Sequence, residues 1–432
     1  MSANRRLYED VEIALGDQNY RIPAMLFGTG RGMEQIRKIT ISKNKNHYDD
    51  DLAQAYVAFI LEAIPARQLT DFTWDVEGYY LDLTTQRLLL SKQTQLRYLR
   101  KNCSAPDFNA ILDERPSILS NLTSLQHVHI EIEEWGDYAI GHHMLKSSDN
   151  LKELTISMLK VLENDVYVTS QKAMQLLLNP SPDECAISLP VLEHLQLTGF
   201  DLLQTTASWT KLVDFHALKF FNLWDCEQID TMLERVRRLF ICQDVSTTPI
   251  TKALSAICTQ SVEPPRLREL WISRDQSTEQ CQQLKFIDGL LLSFSGLTSL
   301  FIELRYTGGE LSGQQINHLA ITNHGYTLRT LCIGIQKSDD ALGFDLRQTG
   351  LYFSKEEFFH LCLACRHLRH LSLPLYSIDN EDPHEFAKLV DKTIVSLNIP
   401  VPSSRSLFRI PSIDWNLMVD FEHRKVSSSC LR

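Results

Sequence analysis

The 432-residue chain lacks several features that mark common functional classes. No apolar run approaches the roughly 18 residues of a membrane-spanning helix, and the start of the chain has no apolar stretch typical of a secretory signal. Basic residues are not in excess, because 43 Lys and Arg stand against 54 Asp and Glu, a formal net charge of −11. No block of Lys and Arg provides a local concentration of positive charge. The composition therefore argues against binding to a membrane or to a nucleic-acid backbone.

The ten cysteines are scattered along the chain. Cys258 and Cys362 fall within apolar stripes at helical spacing, while Cys226 and Cys332 lie next to apolar strand positions. Without a predicted signal peptide, the simplest interpretation is reduced thiols in a cytoplasmic or nuclear protein.

A short apolar signature, Leu-x-x-Leu-x-Leu or a close variant, recurs along almost the whole chain. Clear copies begin at Leu151, Leu192, Leu218, Leu267, Leu297, Leu328 and Leu368, and weaker copies begin at Ile36, Leu69, Leu96, Leu125 and Ile394. Successive copies start 26 to 49 residues apart. Most of these steps lie at or just above the roughly 20–29 residues of leucine-rich repeats. A repeat of this size cannot bury its own apolar face and must stack on its neighbours.

The spacing within and between copies predicts a strand followed by a helix. The last two apolar positions of a copy, its second and third anchors, are one residue apart and therefore point to the same side of a strand. Stripes at helical spacing occur between copies, at 51–64, 232–240, 284–294 and 358–365. The predicted fold class is α/β, a leucine-rich-repeat solenoid shaped as an irregular horseshoe, with parallel strands on the concave face and helices on the convex face. We expect a capping segment at 1–32, the solenoid at 33–400 and a tail or cap at 401–432.

Three stretches resemble chemical sites but have simpler explanations. Cys362 and Cys365, with His370 nearby, could supply zinc ligands, yet both cysteines fall on the buried stripe of a predicted helix and His370 points away from them. The glycines at 28–32 resemble a phosphate loop, but a turn leading into the first repeat explains them. The adjacent His142 and His143 point in different directions and make a poor metal site. We therefore predict no enzyme, no metal and no cofactor.

Residues between and beside the last two anchors are predicted to stand on the outer face of the strands, where solenoids bind other proteins. Four large aromatic residues fall there on three consecutive strands. Clustered aromatic side chains are typical of protein-binding hot spots. The predicted partner-binding residues are Phe220, Asn222, Trp224, Glu269, Trp271, Phe301 and Glu303, with the two glutamates at the rim. The alternative is that insertions or the C-terminal tail cover these rings.

The irregular repeats, the cysteine-containing helices and the opening segment, with Val11, Ile13 and Leu15 on one side of a first strand, resemble the leucine-rich-repeat region of F-box proteins, especially the divergent set of filamentous fungi. The resemblance implies a substrate receptor of a Skp–cullin–F-box ubiquitin ligase that holds a protein on its concave face. The F-box that would bind a Skp-type adaptor is expected to be missing, because only a few residues precede the first strand. The alternative function is a repeat-only interaction scaffold without a ubiquitin role.

Overall fold

A computed structural model describes the chain at residues 9–15, 33–43, 50–76, 81–103, 122–132, 135–158, 162–163, 166–167, 174–175, 177–178, 187–241, 264–276, 284–306, 316–337, 353–373 and 396–398. The chain comprises two compact units, Met1–Ala217 and Leu218–Arg432. Each unit contains its own run of parallel strands alternating with helices.

The first unit contains seven parallel strands in its described part, and they neighbour one another in chain order. They are β1 (Asp10–Leu15), β2 (Lys38–Lys43), β3 (Asp71–Asp75), β4 (Tyr98–Cys103), β5 (His127–Ile132), β6 (Glu153–Met158) and β9 (His194–Thr198). The helices between or after them are α1 (Asp50–Ala63), α2 (Leu83–Lys92), α3 (Trp135–Lys146) and α4 (Leu202–Leu212). A short antiparallel pair, β7 (Leu162–Glu163) and β8 (Val166–Tyr167), lies in the connection from β6 to β9.

The second unit repeats the same alternation. Its described part holds the parallel strands β10 (Phe220–Trp224), β11 (Glu269–Gln276), β12 (Ser299–Tyr306), β13 (Thr330–Lys337), β14 (His370–Ser372) and β15 (Ser396–Asn398). The helices are α5 (Ile229–Ile241), α6 (Leu284–Leu292), α7 (His318–Thr322) and α8 (Lys355–Ala364). In every copy of the apolar signature, weak or clear, a strand begins two residues after the first anchor. These observations confirm the predicted α/β class with parallel strands, and each unit is compatible with a repeat solenoid.

The apolar anchors form the core, as the signature predicts. Leu297, Leu300 and Ile302 of one copy are all fully buried, and the register of β11, β12 and β13 places the anchors of successive copies side by side. The helices cover this side of the sheet, since Gly141 of α3 lies against the anchor Ile130 of β5. The alternate residues of each strand consequently lie on the outer face, away from the helices.

The helical stripes match the observed helices, with one difference in α1. Phe59 and Ile60 are both apolar residues of the predicted stripe at 51–64, whereas only Ile60 is buried and Phe59 is 55% exposed. The difference is a matter of helical phase, because two consecutive residues are about 100° apart around a helix and only one of them can face the sheet.

A buried polar side chain joins neighbouring copies in each unit. In the first unit, Oε1 of Gln93 accepts a hydrogen bond from the backbone N–H of the anchor Leu69 at 3.0 Å. In the second unit, Nδ1 of His324 accepts from the backbone N–H of the anchor Leu297 at 3.2 Å. Both acceptors lie just before the first anchor of the next copy, Gln93 before Leu96 and His324 before Leu328. Each therefore satisfies a backbone donor where one copy turns into its strand.

The contacts of His324 determine its protonation state. Because Nδ1 accepts from Leu297, the neutral ring carries its proton on Nε2, which donates to the carbonyl oxygen of Leu291 at 3.0 Å. Burial lowers the pKa of His324 to about 4, although the bond to Leu291 opposes this shift.

Burial raises the pKa of Asp288 to about 6, against the effect of the hydrogen bond that its Oδ1 accepts from the N–H of Asn317.

These two groups are expected to act in opposite directions on acid stability. Between pH 6.5 and 4 the unfolded chain binds a proton at position 324 that the folded chain does not, so the free energy of unfolding falls as pH falls. Between pH 6 and 3.8 the folded chain binds a proton at Asp288 that the unfolded chain does not, so the free energy of unfolding rises as pH falls.

We expect the Asp288→Asn variant to lose stability more steeply on acidification than the parent chain, and the His324→Gln variant to lose it less steeply. Each slope should change by up to about 1.4 kcal/mol per pH unit, the effect of one proton. Urea unfolding at a series of pH values between 7 and 4 measures these slopes. Equal slopes in all three proteins would contradict the prediction.

Candidate functional site

Three of the predicted aromatic residues form one contact cluster on the outer face of the second unit. The ring centroids of Phe220 and Trp271 are 5.6 Å apart, with the ring planes inclined at 62°. Those of Trp271 and Phe301 are 4.3 Å apart and inclined at 46°. We refer to Phe220, Trp271 and Phe301 as the aromatic cluster. Such inclined pairs contribute about 0.5–1.5 kcal/mol beyond the area that they bury.

The strand pattern places these rings on the outer face. Trp271 lies between the buried anchors Leu270 and Ile272, so its side chain must point to the opposite side of β11. The parallel register puts Trp271 directly beside Phe301 of β12. Phe220 of β10 is beside Glu269, one step diagonal from Trp271, which is within reach of aromatic side chains.

The predicted site residues differ in exposure. The three rings of the aromatic cluster are half-buried, as are Trp224 and Glu269. Asn222 is only 5% exposed and Glu303 only 8%. The burial of Glu303 differs from the expected position at an exposed rim. Its neighbours in register are Ser273, whose hydroxyl donates to Glu303 Oε2 at 3.4 Å, and Gly334.

Two buried polar atoms in this region have no hydrogen-bond partner within the described chain. They are Nε1 of Trp271, a donor, and Oδ1 of Asn222, an acceptor. The two residues are directly opposite each other in the pairing of β10 with β11. Unpaired buried polar atoms are uncommon in folded proteins and cost about 1–3 kcal/mol each. At β10 and β11 the outer face of the second unit therefore has one donor and one acceptor without a described partner beside the ring pair.

The two cysteines of the candidate zinc stretch are free thiols at the C-terminal end of α8. Cys365 is the C-cap residue of α8 and is buried, while Cys362 is half-buried. Burial raises the pKa of Cys362 to about 11 and that of Cys365 to about 12. Because the thiolate is the metal ligand, these shifts oppose metal binding at neutral pH. Among the described residues, no group of three or more His, Cys, Asp and Glu side chains could hold a metal ion.

Of the other two candidate stretches, the structure describes only the pair of histidines. His142 and His143 are on α3 with ring centroids 5.4 Å apart. His142 is buried, and its Nδ1 is 3.0 Å from the carbonyl oxygen of Leu177. The glycines at 28–32 lie outside the described residues, as does the tail at 401–432 that was considered as a cover for the rings.

One surface feature escaped the sequence analysis. Arg329, Arg366, His367 and Arg369 line a pocket of about 180 Å³ in the second unit. The linear sequence shows no basic block there, because Arg329 is far from the other three along the chain. Aligning the copies would have revealed the pair, since Arg329 and Arg369 each follow the first anchor of their copy, Leu328 and Leu368.

No helix in the part of the chain that the structure describes is both long enough and apolar enough to cross a membrane.

Comparison with known proteins gives distant similarity to solved structures. No protein-family model matches the chain, and no curated protein matches it. Among solved structures, a protein of Bacteroides fragilis determined in a structural-genomics programme is 13% identical, with 78% of this chain and 76% of that chain covered and a TM-score of 0.34. Neither the fold nor the function argued for this chain rests on that similarity. The strands and buried anchors of each unit define an α/β protein with parallel strands, an arrangement compatible with a repeat solenoid.

Proposed function

We propose that this chain is a leucine-rich-repeat module that binds a partner protein through the aromatic cluster. The observation that carries the proposal is the contact of Phe220, Trp271 and Phe301 across three strands on the face that the helices leave open. The half-buried rings already have a fixed geometry. Binding a partner over them therefore costs little conformational entropy of their side chains. The Leu-x-x-Leu-x-Leu signature and its buried anchors support the leucine-rich type of repeat.

The polar groups beside the rings supply directionality to this surface. Nε1 of Trp271 and Oδ1 of Asn222 have no partner among the described residues, so a small rearrangement on binding would let them bond to a partner or to each other. Glu269 is half-buried and adds negative charge at the edge of the rings. The partner expected from these features has an apolar centre with basic groups beside it.

The proposed biological role is substrate recognition for a Skp–cullin–F-box ubiquitin ligase. Its support is the resemblance of the repeats and of the opening strand to that family, and the role requires no catalytic step from this chain. The alternative is an interaction scaffold without a ligase. Co-purification of a Skp-type adaptor, with any coding sequence upstream of Met1 included, distinguishes the two roles.

We expect the double variant Trp271→Ala/Phe301→Ala to lose partner capture while it remains folded. Hot-spot aromatic residues contribute about 2 kcal/mol or more each, so the pair should weaken binding at least about 100-fold. Both side chains are half-buried on the outer face, so the core anchors beneath them keep their packing. The measurement is quantitative pull-down with the parent and the variant, with circular dichroism and thermal melting as the test of folding.

Tyr326→Ala is the matched control, because Tyr326 is 88% exposed in the same unit and is not part of the aromatic cluster. A partner captured by the parent and by Tyr326→Ala, but not by the folded double variant, supports the proposal. Unchanged capture by the double variant would rule the aromatic cluster out as the binding site.

A further inference from the structure

A basic pocket is lined by Arg329, Arg366, His367 and Arg369, which all lie just before the start of a strand. None of these residues belongs to the aromatic cluster. Arg329 directly precedes β13 and Arg369 directly precedes β14, and the backbone N–H of Arg369 donates to the carbonyl oxygen of Arg329 at 2.7 Å. Arg366 and His367 come from the turn between α8 and β14. Adjacent parallel strands are about 4.8 Å apart, so the fold holds like charges close together.

The guanidinium groups of this basic pocket are not neutralised by any residue that the structure describes. All four residues are exposed, and in the part of the chain that the structure describes none of the three arginine side chains has an ion-pair or hydrogen-bond partner. Arg268, at the same repeat position in an earlier copy, is different, because its Nη1 donates to the carbonyl oxygen of Gly296 at 2.7 Å. The pocket arginines therefore have their donors available.

Helix chemistry alone does not account for the cluster. A basic residue after the last turn of α8 is favoured by the negative end of the helix dipole, which explains Arg366 and His367. Arg329 and Arg369 belong to strand starts and gain little from that helix. Their proximity to Arg366 costs repulsion between like charges unless an anion lies among them.

We propose that the basic pocket binds a dianionic phosphate group, the group carried by a phosphate monoester. Three permanently charged guanidinium groups match a charge of about −1.5 to −2 at pH 7, whereas a single carboxylate would leave most of the repulsion uncompensated. The planar fork of arginine suits bidentate bonds to phosphate oxygens. At about 180 Å³ the pocket is below the roughly 300–1,000 Å³ of sites for whole organic ligands, which indicates a small group as the occupant.

This inference is independent of the proposed partner binding, since it uses neither the aromatic cluster nor its polar atoms. The phosphate group could be presented by a free monoester or by a phosphorylated residue of a protein. Both sources share the same chemistry at the pocket. They differ in whether the surroundings of the phosphate add further contacts.

The test is calorimetric titration of the full chain, in a buffer free of phosphate, with inorganic phosphate and with O-phosphoserine. We expect saturable binding at one site and a loss of at least about tenfold in affinity in the Arg329→Gln/Arg369→Gln variant. Arg97→Gln is the matched control, because Arg97 also follows the first anchor of its copy and is exposed, but it belongs to the first unit. Its phosphate affinity should equal that of the parent.

The same titration with acetate at matched ionic strength, and with a phosphoserine peptide, completes the experiment. Equal affinity for acetate and phosphate, no saturable phosphate binding, or unchanged binding in the double variant would each overturn the proposal. A peptide that binds more tightly than O-phosphoserine supports the site with a protein as the source of the phosphate. Equal affinity for the two supports the site with a free monoester as the source.

Discussion

Replacing Gly199 with alanine is expected to lower the free energy of unfolding by about 3 kcal/mol or more, a large effect for one methyl group. Gly199 follows β9 and has a φ of 77°, in the left-handed region that residues with a Cβ rarely adopt. A Cβ at this position would lie 2.1 Å from the carbonyl oxygen of Met158 in the neighbouring copy. Since this obstacle is backbone at the end of β6, relief requires the last residues of the β6–β9 pair to separate.

Gly141→Ala is the matched control for this prediction. A Cβ at Gly141 would approach Cδ1 of Leu177 to 2.5 Å, but that atom is the flexible end of a side chain. Gly141 is within α3, where alanine is favoured over glycine by about 1 kcal/mol. We therefore expect a much smaller change there. Chemical denaturation of the two variants and the parent measures the difference, and equal losses at both positions would contradict the structural explanation.

Leu300→Ala is expected to lower the free energy of unfolding by about 3–4 kcal/mol. Leu300 is the second anchor of its copy, is fully buried and lies in β12 between the anchors Leu270 and Leu331 of the adjacent strands. Truncation removes apolar contacts and leaves a cavity that copies on both sides must share, and such changes typically cost about 2.7–5 kcal/mol. The measurement is the midpoint and slope of urea unfolding.

Leu363→Ala provides the comparison for Leu300→Ala, because Leu363 of α8 in the same unit is 65% exposed. Surface substitutions of this kind usually change stability by less than about 0.5 kcal/mol. If Leu300→Ala were as well tolerated as Leu363→Ala, the anchors would not form the shared core on which the repeat fold depends.

Several helices and strands could be predicted from the spacing of apolar residues within short segments. The stripe from Met232 to Phe240 predicts a helix, and α5 spans Ile229–Ile241 with Met232, Leu233, Val236 and Phe240 buried. The copy at Leu96 was the weakest, with Lys101 at its third anchor, yet β4 forms there. Its neighbours explain this result, because β3 and β5 both offer backbone partners in register to β4. The pattern at Phe59 and Ile60 gave two candidates, and only packing selected Ile60.

The contacts within the candidate site could not be predicted from the spacing of residues in short segments. The alternation of β11 and β12 assigns Trp271 and Phe301 to the outer face, but their ring contact depends on the register between strands that are 30 positions apart in sequence. The burial of Glu303 depends on its two neighbours, Ser273 and Gly334. Neither fact is contained in the spacing of residues within one copy.

The identity of the anchors and the alternation of strands with helices can be read from the amino-acid sequence, because periods of two and 3.6 residues are properties of short segments. Which outer side chains are in contact, and which charges share a pocket as those of Arg329 and Arg369 do, depends on the three-dimensional packing of the copies. The connections between copies vary in length, so alignment across copies is set by backbone pairing and core packing rather than by distance along the chain.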